Sequence, residues 1–370
     1  MTEIKKIIAV TIIWRLLLFL PVIFGLLFIA YRNGYSYTSP LSFFSNMPAL
    51  LAAFANFDGV HYLSIAVNGY ADNGRFFPLF PLGIGALVKI GVTPLLAGLI
   101  IAHLFFITAL FFFYRLLKLD YPSAKAKEAV WYLLLFPTAF FLVSVYSEGL
   151  FLSLTFASFY LARKKNWLGA AVCGALLTMT RLVGLMILPA LLWEGLTSMK
   201  RNRVRLFPLF FIPVGVIGYS LFSFIKWHDP GYFINAQGQL ANGRSVTGIV
   251  APWIVAFRYF RIFFSLPLSR YEWWTAFLEV MITVFAGIYL LRSYQKKVRP
   301  AYLIFAIGTF LMPFLSGTLS GMLRYALILF PMYISLSLEK KRGIKLAYIL
   351  IGIFVASLLL LAFSRGYFVA

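Results

Sequence analysis

Two carboxylates, a histidine and an arginine stand close together in a chain that is otherwise strongly apolar. The stretch reads Asn56-Phe57-Asp58-Gly59-Val60-His61-Tyr62, then Asn68-Gly69-Tyr70. Asp72 and Arg75 follow, ahead of Phe76-Phe77-Pro78-Leu79-Phe80-Pro81. A carboxylate at a lipid boundary is partly desolvated and therefore more basic. Such a base can take a proton from an acceptor hydroxyl during group transfer, and Asp58 is the first candidate for that role. Two blander readings compete with it: a solvated loop acid, or the turn residue of an Asp-Gly pair. His61 follows Asp58 by three positions and shares its face if the stretch is helical. An Asp–His pair and an exposed loop histidine both fit.

The arginines suggest a second kind of chemistry. Arg181 and Arg324 fall at the expected outer ends of apolar runs, and Arg244 lies in a later polar loop. Snorkelling to the interface explains such arginines in most membrane proteins. The alternative is a phosphate clamp, because a guanidinium grips phosphate oxygens with two parallel bonds and stays charged in a low dielectric. The later loop runs His228-Asp229-Pro230-Gly231-Tyr232-Phe233-Ile234-Asn235-Ala236-Gln237 before Asn242-Gly243-Arg244. Asp-Pro-Gly is a turn signal first. The amides and rings beyond it, Gln237 among them, suit sugar hydroxyls and sugar faces, and equally an interfacial loop anchored by aromatics.

Some chemistries are excluded. There is no Gly-Lys-Ser/Thr phosphate loop, so ATP-driven transport is not expected. No Asp-x-Asp pair and no His-Glu-x-x-His are present. Cys173 is the only cysteine; it permits no intramolecular disulfide and no cysteine-based metal site, and an inert buried thiol is expected. No metal and no cofactor are expected.

The elements that must hold these residues are membrane helices. Hydrophobic residues make up 62% of the 370 and charged ones 12%, with a mean hydropathy of +0.89. A soluble domain is nearer half apolar and a quarter charged. The chain reads as a single integral membrane unit, 1–370, all-α and polytopic. Apolar runs of about the length that crosses hydrocarbon occur at 7–31, 92–117, 129–146, 148–163, 166–180, 183–198, 206–225, 272–291, 301–317, 322–338 and 344–363. That gives about 11 transmembrane helices, several of them short enough to be broken or buried by neighbours. The stretch 76–91 is read as interfacial or re-entrant, and the first run as a retained span rather than a cleaved leader.

The formal charge is +22. Most of the cations sit in short loops that alternate with loops poor in lysine, as the positive-inside rule requires; no nucleic-acid motif accompanies them. This places the N-terminus in the cytoplasm. The loops 32–91 and 226–271, and with them Asp58, then lie outside a plasma membrane. Asp58, Asp72, Glu148, Asp229 and Glu272 fall at or near that outer face with Arg75, Arg181, Arg244 and Arg324. Asp120, Glu128, Glu194 and Glu339 fall near the inner one.

Taken together these blocks resemble the PIG-V family of mannosyltransferases, a branch of the GT-C glycosyltransferases. The family pattern Trp-Asp-x-x-His-Tyr-x-x-Ile-Ala-x-x-Gly-Tyr is matched by Phe57 through Tyr70, with Phe57 in the tryptophan position. Phe76 to Pro81, Tyr146-Ser147-Glu148-Gly149-Leu150-Phe151, Thr180-Arg181-Leu182-Val183-Gly184, Asp229-Pro230 with Ala236-Gln237, and Arg324-Tyr325 leading to Phe330-Pro331 resemble its further blocks. The resemblance runs from about Trp14 to Pro331. It implies a GT-C-like bundle with extracytoplasmic catalytic loops. It also implies a polyprenyl-phosphate sugar as donor, most simply a dolichyl-phosphate-mannose-like lipid, and a glycolipid, glycan or protein hydroxyl as acceptor. Under it Asp58 is the base, and His61 and Glu148 orient groups around it. Arg324, with Arg181 or Arg244, holds the donor phosphate, and Tyr62, Asp72 and Gln237 contact substrate. A transporter or flippase of a lipid-linked glycan is the rival reading; it calls for ionisable groups near mid-membrane in broken helices, whereas here they gather at one face, with Arg15, close to the inner end of the first run, the main exception.

Overall fold

The computed structural model describes residues 2–32, 47–71, 73–199, 203–237 and 250–369. Asp72 and Arg244 lie outside them. The described residues form α-helices, 3₁₀ turns and connecting loops, and no strand occurs among them. This is what a chain dominated by long apolar runs must do in lipid, where each backbone polar group needs an internal partner.

Five of the expected runs are long, apolar helices able to cross a membrane: Ala9–Phe28, Pro94–Leu117, Arg203–Trp227, Tyr271–Gln295 and Arg342–Ser364. A sixth candidate is a bent pair, Ala49–Ala55 with Asp58–Asn68, which turns by 90°. Outward faces of the long helices carry bare apolar side chains such as Leu27, Ile225 and Phe354, the pattern of a lipid-facing surface. The other runs are shorter or broken, and proline explains much of this. The run 129–146 stops as helix at Leu134, just ahead of Pro137, and resumes as a 3₁₀ turn at Ala139–Val143; a residue before proline avoids the helical region. The run 322–338 divides into Met322–Leu327 and Pro331–Ser337, because Pro331 lacks an N–H and can only begin a new helix. The stretch 76–91 contains the short apolar helix Leu79–Lys89, packed on Pro94–Leu117 and on Asp58–Asn68.

The centre of the bundle is the Glu148–Arg163 helix, buried over most of its length between Pro94–Leu117 and Trp167–Thr178. Aromatic rings fill the space around it. Phe113 stacks on Phe156 at 4.5 Å, and Phe159, Phe305, Tyr302 and Phe330 close a ring cluster below. Gly149 lets this helix begin where it does. A Cβ there would lie 3.0 Å from the Leu142 carbonyl oxygen and 3.3 Å from that of Ala102, so a larger residue would push Glu148 away from its position.

One helix also fixes a length scale. Glu148 opens it and Arg163 closes it, which at 1.5 Å per residue separates them by about 22 Å. Two charged clusters therefore sit near opposite ends of the bundle. At the Arg163 end, Arg163 and Arg299 both bind Asp120, at 2.6 and 2.9 Å, and both bind Glu194. Burial alone would make Asp120 hard to ionise, but the hydrogen bonds from Arg163 and Arg299 outweigh it and hold the carboxyl below its usual range. Glu339 beside Lys296 and Glu128 beside Lys345 belong to the same end. Cys173 is half-buried in Trp167–Thr178, less enclosed than its apolar surroundings suggest.

Candidate functional site

The second cluster, at the Glu148 end, contains the residues singled out in the sequence. Three segments deliver its acids and its buried arginine. Asp58 is the first residue of the Asp58–Asn68 helix, not a turn residue, and Glu148 is the first residue of Glu148–Arg163. Both carboxylates thus lie at helix N-termini, where the helix dipole favours negative charge. Arg324 comes from the short Met322–Leu327 helix, which starts after Gly321 in the left-handed region, φ +83°. Thr138 donates to the Leu323 carbonyl at 2.8 Å and ties this short helix to the bundle core.

Asp58 is aimed by a strained neighbour. Phe57 has φ +58° and ψ −116°, a conformation that a residue with a Cβ rarely adopts. Its buried ring, 5.7 Å from both Phe363 and Phe368, is what holds the bend in place. Asn56 adds a hydrogen bond to the Phe363 carbonyl at 2.8 Å, and Tyr146 donates to the Asn56 carbonyl at 3.0 Å. The 90° turn between Ala49–Ala55 and Asp58–Asn68 follows from this anchoring.

Arg324 is the hub. Its Nη1 donates to Asp58 Oδ2 at 2.5 Å and its Nε donates to Glu148 Oε1 at 2.6 Å. The guanidinium carbon lies 4.7 Å from the Tyr146 ring centre and 5.4 Å from that of Phe141. Arg324 is 8% exposed, so it does not snorkel. Arg181 reaches the same Glu148 oxygen at 2.9 Å. Three buried polar atoms are left over, with no hydrogen-bond partner among the described residues: Arg324 Nη2, Arg181 Nη1 and Glu148 Oε2. The two guanidinium atoms are unmet donors, expensive in a dry site and of the kind an incoming anion satisfies; the Glu148 oxygen is an unmet acceptor.

The remaining expected residues fall around this hub. The Nε2 of His61 faces Arg75 Nη2 at 3.0 Å, and its ring stacks on Phe76. Since arginine only donates, Nε2 is the acceptor there and the imidazole is neutral. This pairing was not expected from the sequence, where Asp58 was the partner considered. Tyr62 is buried and donates to Ser147 Oγ at 3.1 Å, one residue before Glu148, while its ring is wedged against Phe76 and Phe80. It braces the site from behind rather than lining an opening. Gln237 follows the short Tyr232–Asn235 helix, which packs through Tyr232 on the Trp227 ring and through Phe233 on Phe77. Asp229 does what Asp-Pro-Gly promises: it accepts from the Gly231 N–H at 2.8 Å and from Asn235 at 2.7 Å.

One buried acid was missed. Glu279, in the middle of Tyr271–Gln295, accepts from the Tyr259 hydroxyl, which in turn accepts from the Leu319 N–H at 3.1 Å. It supports the loop leading to Arg324. The signal in the sequence was an acid inside a long apolar run, where an ionisable group is costly and calls for a partner. Arg15 is also buried, with its guanidinium 3.6 Å from the Phe54 ring centre.

Among the described residues no group of three or more His, Cys, Asp or Glu side chains is arranged to hold a metal. An apolar cavity of about 110 Å³ lies between the Tyr271–Gln295 and Arg342–Ser364 helices, lined in part by Trp274, Leu278, Leu359 and Val369. It has room for a few methylene groups and not for a whole lipid chain.

No family model matches the chain, and neither a curated protein nor a solved structure does.

Proposed function

We propose that the protein is a membrane-embedded glycosyltransferase of the GT-C type, related to the PIG-V mannosyltransferases. It would move a sugar, most simply mannose, from a polyprenyl-phosphate donor to an acceptor hydroxyl on the extracytoplasmic side of the plasma membrane. The observation that carries this reading is the meeting of Asp58, Glu148, Arg181 and Arg324 at one end of an apolar helical bundle. Lipid phosphates lie near the boundary of a hydrocarbon layer about 30 Å thick. The site stands about 22 Å along the bundle from the Arg163 cluster, a depth that suits a phosphate at the far leaflet. The full bundle of about eleven spans belongs to this proposal.

In the proposed reaction Asp58 takes the proton of the acceptor hydroxyl. The acceptor oxygen bonds to the sugar C1 as the C1–O bond to phosphate breaks, with one inversion, so that a β-linked donor yields an α-linked product. The leaving lipid phosphate gains a negative charge. Arg324 and Arg181 supply the donors that meet this charge, an effect that is largest in a site closed to water. Glu148 keeps the two guanidinium groups side by side against their mutual repulsion, and the His61–Arg75 pair is near enough to Asp58 to act on its charge.

The test is an assay of the purified protein with a panel of polyprenyl-phosphate sugars and simple glycoside acceptors. Consumption of one donor, with release of polyprenyl phosphate, is expected. Protein that is folded and consumes no member of the panel would overturn the reading.

A further inference from the structure

Arg324 is engaged at two of its three nitrogens before any ligand arrives. Nε serves Glu148, Nη1 serves Asp58, and Nη2 is buried without a partner among the described residues. A guanidinium binds phosphate most tightly through two parallel N–H groups on one edge. It has two such edges beyond the side-chain stem. On the edge of Nη1 and Nη2, Nη1 is bonded to Asp58, and on the edge of Nε and Nη2, the single N–H of Nε is taken by Glu148. A two-pronged phosphate on the Nε–Nη2 edge must displace Glu148, because Nε has a single N–H; on the Nη1–Nη2 edge it competes with Asp58 for Nη1.

The two carboxylates are not equally held. The Glu148 side chain is fully buried and shares its Oε1 with Arg181, whereas the Asp58 side chain is 30% exposed. Moving Glu148 would strand Arg181, because the arriving phosphate replaces the carboxylate only at Arg324. Moving Asp58 strands none, because the arriving phosphate replaces it. Asp58 can also be hydrated where it is open, so its departure is the cheaper exchange.

The geometry points to a charge exchange at Arg324: the phosphate of a lipid-linked donor takes the Nη1–Nη2 edge and releases Asp58. This rests on the phosphate-clamp reading above and adds an order of events to it. While paired, Asp58 accepts a proton reluctantly, because the ion pair favours its charged form. Once exchanged, it faces the acceptor hydroxyl without Arg324, its nearest counter-ion. The base is therefore inactive in the empty site and becomes active only with donor in place, which protects the site from premature acceptor chemistry.

The experiment measures binding of a short-chain polyprenyl monophosphate to the purified full-length protein, with inorganic phosphate titrated beside it. Asp58→Asn keeps the shape of the side chain and removes the charge that competes for Nη1. It is expected to bind the lipid phosphate about tenfold tighter than the wild type, the worth of one charge-assisted hydrogen bond. Asp58→Ser, a second uncharged variant, should shift in the same direction, and Glu148→Gln should gain less than either. Arg324→Ala should lose binding. Affinity that is unchanged or weaker in both Asp58 variants, with binding still lost in Arg324→Ala, overturns the exchange and leaves the clamp standing. Undiminished binding in Arg324→Ala overturns the clamp itself. An equal gain for inorganic phosphate overturns the assignment to a lipid.

Discussion

Arg324 Nη1 meets Asp58 Oδ2 at 2.5 Å although the two residues are 266 positions apart in the chain. One comes from a bent helix pair near the start and the other from a six-residue helix near the end. Neither position is enforced by local sequence. The first packs on Leu79–Lys89 and Pro94–Leu117 and the second on Tyr271–Gln295 and Pro300–Leu315, so the pair reports on whether these separate parts of the bundle are correctly assembled.

The first prediction concerns that pair. Asp58→Asn should lower sugar transfer by about 10²- to 10⁴-fold, the contribution of a general base, with expression and thermal stability in detergent largely kept. Transfer near the wild-type rate in this variant would reject Asp58 as the base.

Glu148 should behave as a structural counter-ion. Glu148→Ala leaves Arg181 and Arg324 facing each other without the carboxylate between them, and breaking a buried pair in this way costs about 3–5 kcal/mol. Glu148→Gln keeps an oxygen acceptor and should lose less. Thermal unfolding of the two variants in the same detergent reads the difference; equal loss in both would mean that the charge of Glu148 is not what holds the arginines.

The strain at Phe57 makes an unusual ordering testable. Replacing Phe57 by alanine removes the ring and keeps a Cβ at φ +58°. Replacement by glycine removes the ring and relieves the backbone, a strain of about 1–3 kcal/mol. Phe57→Gly should therefore be at least as stable as Phe57→Ala, against the usual cost of glycine. Both should fall well below the wild type, because the ring packs on Phe363 and Phe368. A glycine variant clearly less stable than the alanine variant would show that the backbone is relaxed at this position.

The Arg163 end gives a pH prediction. The hydrogen bond from Lys296, at 3.1 Å, is the main reason that the Glu339 carboxyl is held down at about 2 instead of its ordinary 4.5. Because its folded-state value is depressed, its contribution to stability is fully present above about pH 4.5 and is lost as the pH falls toward about 2. Wild-type protein should lose stability across that window, and Glu339→Gln should show a shallower loss there. Identical acid profiles for the two would remove Glu339 from the account.

Much of the site could be read from residue types alone. Asp58, Glu148, Arg181 and Arg324 stood out because charge is scarce in this chain and each sits at the end of an apolar run. What could not be read was how they pair. The spacing of Asp58 and His61 fitted either a bond between them or an exposed loop histidine; instead Arg75 lies against the imidazole, brought there by the packing of Phe76 on the His61 ring. Glu279 escaped notice because nothing near it in sequence marks its partner, and Tyr259 reaches it from a different helix. For the fold, apolar runs located the long helices to within a few residues. They did not show that 129–146 and 322–338 would break, although Pro137 and Pro331 were the physical cause and were visible.

Glu148 binds two arginines that enter the chain at very different times during synthesis. Arg181 follows it within the next helical hairpin, whereas Arg324 is added 176 residues after Glu148. A newly inserted Glu148 thus has a counter-ion from Arg181 long before the hub residue leaves the ribosome. Arg181 then guards the nascent bundle, and loss of this arginine should appear first as degradation of half-made chains, ahead of any defect in the finished protein.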